Sequence, residues 1–103
     1  MKKRNAYGQH FLKSAIIAKN IVSSAEITKN DTVFELGTGH GILIPYLCEK
    51  AKNVISIETD KKLYLSTKSK FSDKPNLILE HGNGLTTNHR FSIFVSNLPY
   101  SIS

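Results

Sequence analysis

Apolar positions along the chain alternate between two rhythms. Ala18, Ile21, Val22 and Ala25 recur at i, i+3, i+4 and i+7, which predicts an amphipathic helix with Ser14 as its N-cap. Asn30-Asp31 then makes a turn into a short apolar strand, Val33-Phe34-Glu35-Leu36. Helical spacing returns with Leu43, Tyr46 and Leu47, so Ile42 to Ala51 reads as a second helix. Val54 to Ile57 is a second apolar strand that ends in Glu58. Asp60 can cap a third helix with Leu63, Thr67 and Phe71 on one face, and Ser72 to Asn76, containing Pro75, ends it. A third strand is expected over Leu77 to Glu80, followed by a turn at His81-Gly82-Asn83-Gly84. The fourth runs from Phe91 to Ser96 and feeds into Asn97-Leu98-Pro99-Tyr100.

Strands alternating with helices imply right-handed crossovers and a doubly wound, mostly parallel α/β sheet. The expected strand order is 3-2-1-4. In such sheets ligands bind outside the carboxyl ends of the strands, here at the switch point between strands one and four. The polar residues of interest all fall at those strand ends.

The segment between the first strand and the second helix reads Gly37-Thr38-Gly39-His40-Gly41. Glycines at alternate positions let the backbone bend sharply and come close to a ligand with no Cβ in the way. Such a turn presents free N–H groups at a helix N-terminus, where an anionic group is favoured. Dinucleotide-binding turns read G-x-G-x-x-G; this one reads G-x-G-x-G, with Glu35 two positions before the first glycine. Glu58, 21 residues after Gly37, is placed to accept hydrogen bonds from both hydroxyls of an unphosphorylated ribose. The plain alternative is a tight strand-to-helix connection beside a solvated strand end. Glu35, the turn and Glu58 together resemble the S-adenosylmethionine site of class I methyltransferases.

Asn97-Leu98-Pro99-Tyr100 suggests what would be methylated. The exocyclic amine of adenine is a poor nucleophile because its lone pair is delocalised into the ring. The Asn97 side-chain oxygen and the Leu98 carbonyl can hold both amino hydrogens and turn that lone pair outward. Pro99 fixes the backbone, and Tyr100 offers a flat face for a base taken out of its stack. In-line positioning supplies the rate, and no covalent intermediate is needed. The same four residues also suit an ordinary turn.

Composition adds a partner. A net charge of +6 is high for 103 residues and points to nucleic acid, with Lys2, Lys3 and Arg4 at the start and a lysine-rich third helix. That helix also reads as a solvated face. The single cysteine, Cys48, excludes an internal disulfide and suits a core position in a reducing compartment. No apolar run reaches the length of a membrane span or signal sequence, so a cytoplasmic protein is expected. The four histidines lack metal-ligand spacing, and no metal site is expected.

Four segments, in order and at matching spacing, resemble the ribosomal RNA adenine N6-dimethyltransferases. They are Gln9-His10-Phe11-Leu12, Glu35 to Gly41, Ile57-Glu58-Thr59-Asp60, and Asn97 to Ser103. This family includes the small-subunit dimethyladenosine transferases and the macrolide-resistance methyltransferases. The resemblance implies two methyl transfers from S-adenosylmethionine to adenine N6 in ribosomal RNA. It implies cofactor contacts from His10, Leu12, Glu35, Gly37, Gly39, Gly41 and Glu58. Asn83 stands where the family has an aspartate on the cofactor adenine, and so brings an acceptor without charge. Asn97 would touch both cofactor and target, with Leu98, Pro99 and Tyr100 on the target side.

Relative to that family, the chain is expected to be one cofactor-binding domain over residues 1–103. The later strands and the helical RNA-binding domain would be absent, leaving the fourth strand as an exposed edge open to a partner chain or to self-association. A non-catalytic RNA-binding or assembly module is the competing reading. A nicotinamide-dependent oxidoreductase is disfavoured by the glycine spacing.

Overall fold

The computed structural model describes residues 15–83 and 89–96. Its elements are α1 (15–24), β1 (Thr32–Leu36), α2 (Ile44–Lys50), β2 (Asn53–Glu58), α3 (Lys61–Lys70), β3 (Leu77–His81) and β4 (Ile93–Ser96). The four strands form one sheet in the order β3-β2-β1-β4, as the alternation of elements implies. All three neighbouring pairs are parallel, and the register sets Glu35 opposite Ser56 on one side and Val95 on the other.

Side chains alternate between the two faces of each strand. Val33, Val54 and Val95 point to the face that α1, α2 and the end of α3 cover, where they pack with Ala18, Val22, Leu43, Ile44, Leu47 and Phe71. Phe34, Ile55 and Ile57 point to the opposite face, with Leu36 against them. There the rings of Phe91 and Phe94 lie 5.1 and 5.8 Å from that of Phe34. The two outer rings are 47% and 51% exposed, so this face is covered far less well than the helical one.

Several expected boundaries shift. The second helix begins at Ile44, not Ile42, because Gly41 sits at φ +77° and the chain turns until Pro45 enters the first helical turn. Asp60 caps α3 as expected, its side chain accepting from the Leu63 N–H at 3.1 Å. The third strand extends one residue to His81, which pairs with Glu58. The fourth starts at Ile93, not Phe91: Phe91 turns onto Phe34, and the Ser92 hydroxyl is engaged by Asp31. In α1, Ala18 and Val22 are buried, but Ile21 is exposed and does not belong to the core stripe. Ser14, the expected cap of that helix, lies outside the described residues. Cys48 takes the core position assigned to it, and burial pushes its thiol up to about 11. No helix among the described residues is long and apolar enough to cross a membrane.

Candidate cofactor site at the strand carboxyl ends

Glu35, Ser56 and Glu58 share the helix-covered face, because positions alternate along β1 and β2 and Glu35 pairs with Ser56. Glu35 is fully buried. Its Oε1 accepts the Ser56 hydroxyl at 2.6 Å, while its buried Oε2 meets no donor in hydrogen-bond geometry among the described residues. Burial pushes this carboxyl up to about 7, although the Ser56 hydrogen bond and the neighbouring Thr38 hydroxyl pull it back and the nearby Glu58 charge adds to the rise. The folded protein therefore holds this proton more tightly than the unfolded chain does. Glu35 favours folding fully below about pH 4.5 and loses that contribution as the pH rises through about 7.

Glu58 is nearly as buried but differently satisfied. Its Oε1 accepts the Gly39 N–H at 2.8 Å and its Oε2 accepts the Asp60 N–H at 2.9 Å. Each carboxylate oxygen has a second lone-pair site, so two acceptor positions stay open at the tip of β2. The carboxylate thus ties the glycine turn to the start of α3 and still has capacity for hydroxyl groups.

The turn departs from its expected form in one respect. Free amides were expected along it, yet all three glycine N–H groups are used inside the protein. Gly37 donates to the Ile57 carbonyl at 2.8 Å, Gly39 to Glu58, and Gly41 to the Thr38 carbonyl at 2.9 Å. With α2 only seven residues long, its N-terminus adds little as an anion site. The turn's value lies in its shape. All three glycines have positive φ: 80° at Gly37, 57° at Gly39 and 77° at Gly41. A Cβ on Gly41 would stand 2.5 Å from the Phe71 ring, so that glycine is needed for α3 to pack. A Cβ on Gly39 would meet nothing within 4 Å, which leaves that side open for a ligand.

Asn83 is exposed, two residues beyond the end of β3, at the same edge of the sheet. His10, Leu12, Asn97, Leu98, Pro99 and Tyr100 lie outside the described residues, so the structure brings together Glu35, the three glycines and Glu58, with Asn83 past the carboxyl end of the neighbouring β3. Sequence reasoning missed Ser56 and Thr67. A lone serine within Val54-Ile55-Ser56-Ile57 signals a polar contact on the covered face. Thr67 is buried on α3 and donates from its hydroxyl to the Gly39 carbonyl at 3.2 Å. Among the described residues no three histidine, cysteine or carboxylate side chains converge as metal ligands.

Comparison with known proteins gives this arrangement a context. The family model for ribosomal RNA adenine dimethylase matches residues 1–103. The probable ribosomal RNA small subunit methyltransferase A of Methanococcus aeolicus is 40% identical over 106 residues; the match covers all of this chain and 39% of that protein. Among solved structures, a dimethyladenosine transferase from Plasmodium falciparum superposes with a TM-score of 0.72 at 32% identity, over 84% of this chain and 33% of that one. The 23S rRNA methyltransferase ErmE superposes at 0.74, also at 32% identity, over 84% of this chain and 36% of its own. The chain thus spans well under half the length of the relatives it matches.

Proposed function

This chain belongs to the ribosomal RNA adenine dimethylase family, and we propose that residues 1–103 form one S-adenosylmethionine-binding domain of an enzyme that dimethylates adenine N6 in ribosomal RNA. The observation that carries the proposal is the pair of carboxyls flanking the glycine turn. Glu35 has a buried Oε2 that meets no donor in hydrogen-bond geometry among the described residues, and Glu58 has unused acceptor capacity on both oxygens. These fit two polar parts of the cofactor, with the ribose hydroxyls on Glu58 and the ammonium toward Glu35. The bound cofactor would supply an electrophilic methyl group.

The chain's own residues do the positioning. Gly39 leaves the turn open for close approach, and Gly41 lets α3 pack so that Asp60 and Glu58 hold it in place. Asn83 would accept from the cofactor adenine amine. His10 and Leu12 would close over the cofactor from the N-terminal arm. Asn97 and Leu98 would hold the target amine, with Pro99 and Tyr100 completing that side. Since the relatives are much longer, grip on the RNA is assigned largely to sequence beyond this segment, and the segment alone should bind cofactor better than it methylates. β4 closes one edge of the sheet, and its outer side is where a further strand, from a partner chain or a second copy, would pair. A ribosomal RNA substrate supports the reading of a cytoplasmic protein.

Titration calorimetry with S-adenosylmethionine, S-adenosylhomocysteine and NAD tests the cofactor assignment. Both sulfur nucleosides should bind and NAD should not. Glu58→Ala should weaken their binding by about 1–3 kcal/mol, the cost of leaving polar groups unpaired. Binding of NAD alone would overturn the proposal.

A further inference from the structure

We infer that Glu35 is a proton-exchanging positioning residue: it gives up its carboxyl proton to solvent when the cationic end of the cofactor docks beside the glycine turn, and regains it when the ligand leaves. The inference rests on the cofactor reading above and adds to it a linkage between occupancy and protonation.

The geometry is unusual for a carboxyl that merely supports a fold. Glu35 is fully buried in the central strand pair, one oxygen is held by Ser56 at 2.6 Å, and the other, beside Thr38, meets no donor in hydrogen-bond geometry among the described residues. Buried polar groups are ordinarily paired, and leaving one unpaired is costly. Among the described residues, those of α1 and α3 included, the one charged group acting on it is a second carboxylate, Glu58. β2 contributes Ser56 and the second carboxyl, Glu58; β4 contributes Val95; α2 contributes Cys48, whose thiol is pushed up to about 11 and stays neutral; the turn contributes Thr38. Facing another carboxylate and, among the described residues, no positive charge, Glu35 is pushed up to about 7, so near neutrality it is divided between its acid and its ionised form. An arriving ammonium or sulfonium is the missing positive charge. It favours the ionised form, so the carboxyl dissociates: one O–H bond breaks, the electron pair stays on Glu35, and the proton goes to solvent. By linkage, affinity must then rise with pH, about tenfold for each unit by which the ligand lowers this group.

Calorimetry of S-adenosylhomocysteine binding at pH 6.5, in buffers of different ionisation enthalpy, counts the protons. The ligand's own α-amino group is already charged there, having an ordinary pKa of about 7.7–8.0. The wild-type chain should release about 0.5–0.7 proton per ligand; Glu35→Gln should bind with almost none, and its affinity should be flat from pH 6 to pH 7. Glu58→Gln, if it still binds, should keep the release, which assigns the proton to Glu35. Should Glu35→Gln fail to fold, carbon-13 carboxyl resonances of the wild-type chain decide the matter: the Glu35 signal should titrate near neutrality when free and at clearly lower pH when saturated. Equal release by wild type and Glu35→Gln, binding without release, or an unmoved Glu35 titration would each overturn the inference while leaving the cofactor reading intact. No binding of either sulfur nucleoside would overturn both.

Discussion

The two ends of the sheet are built for opposite purposes. At the amino ends of the strands a cleft of about 680 Å³ is lined by Lys29, Tyr46, Cys48, Asp73, Lys74 and Asn76, among others. Size alone would nominate it as a binding site. Yet several polar groups there are spent on closing the fold. The Asn76 amide donates to the Cys48 and Ala51 carbonyls at 2.9 and 3.2 Å, closing the end of α2, and Lys29 donates to the Glu49 carbonyl at 2.6 Å. Asp31 accepts from the Thr28 N–H at 2.8 Å and the Ser92 hydroxyl at 2.9 Å, contacts that hold its carboxyl below the usual range. At the carboxyl ends the opposite holds among the described residues, with a Glu35 oxygen that meets no donor in hydrogen-bond geometry, open acceptor sites on Glu58 and open space where a Gly39 Cβ would stand. Unspent hydrogen-bonding capacity, more than volume, marks where a polar ligand goes.

The largest effect should come from breaking the carboxyl end at its packed glycine. Gly41→Ala combines a left-handed backbone, about 1–2 kcal/mol, with overpacking against the Phe71 ring, about 1–3 kcal/mol. A loss of roughly 3 kcal/mol in urea unfolding is expected. Gly39→Ala has the backbone term without the clash and should lose only about 1–2 kcal/mol. Equal losses from the two would contradict the contact between Gly41 and α3.

A smaller effect sharpens the contrast from the other end. Asn76→Ala removes two hydrogen bonds that hold the end of α2, worth about 1–3 kcal/mol together. Stability should fall by that amount in urea, while affinity for S-adenosylhomocysteine stays within about twofold, because the loss lies across the sheet from the turn. A tenfold loss of affinity would mean that the two ends are coupled.

Most of the frame was legible because hydrophobic spacing and parallel topology determine one another. Val33 to Leu36 and Val54 to Ile57 are too short and too apolar for anything but buried strands, and the intervening segments leave room for one crossover helix each. Glu35 was found because a carboxylate beside a glycine turn is conspicuous, and Glu58 because it ends the second apolar strand. Their difference was not legible. Whether a carboxyl is paired depends on register, and Ser56 reaches Glu35 only because β1 and β2 align those two residues. The start of α2 was misplaced for a related reason. Ile42 and Leu43 carry helical spacing, but the positive φ at Gly41 keeps them in the turn. Free turn amides were expected, and the carbonyls of Ile57 and Thr38 and the Glu58 carboxylate had already taken those of the glycines.

The central claim is that ligand binds at the carboxyl ends and not in the amino-end cleft. Amide chemical-shift mapping of the nitrogen-15-labelled chain during addition of S-adenosylhomocysteine tests it directly. The account predicts saturable shifts at Gly37, Gly39, Gly41, Thr59 and Asp60, with Lys29, Lys74 and Asn76 unmoved. Shifts centred on Lys29, Lys74 and Asn76, with the glycine turn unmoved, would contradict it.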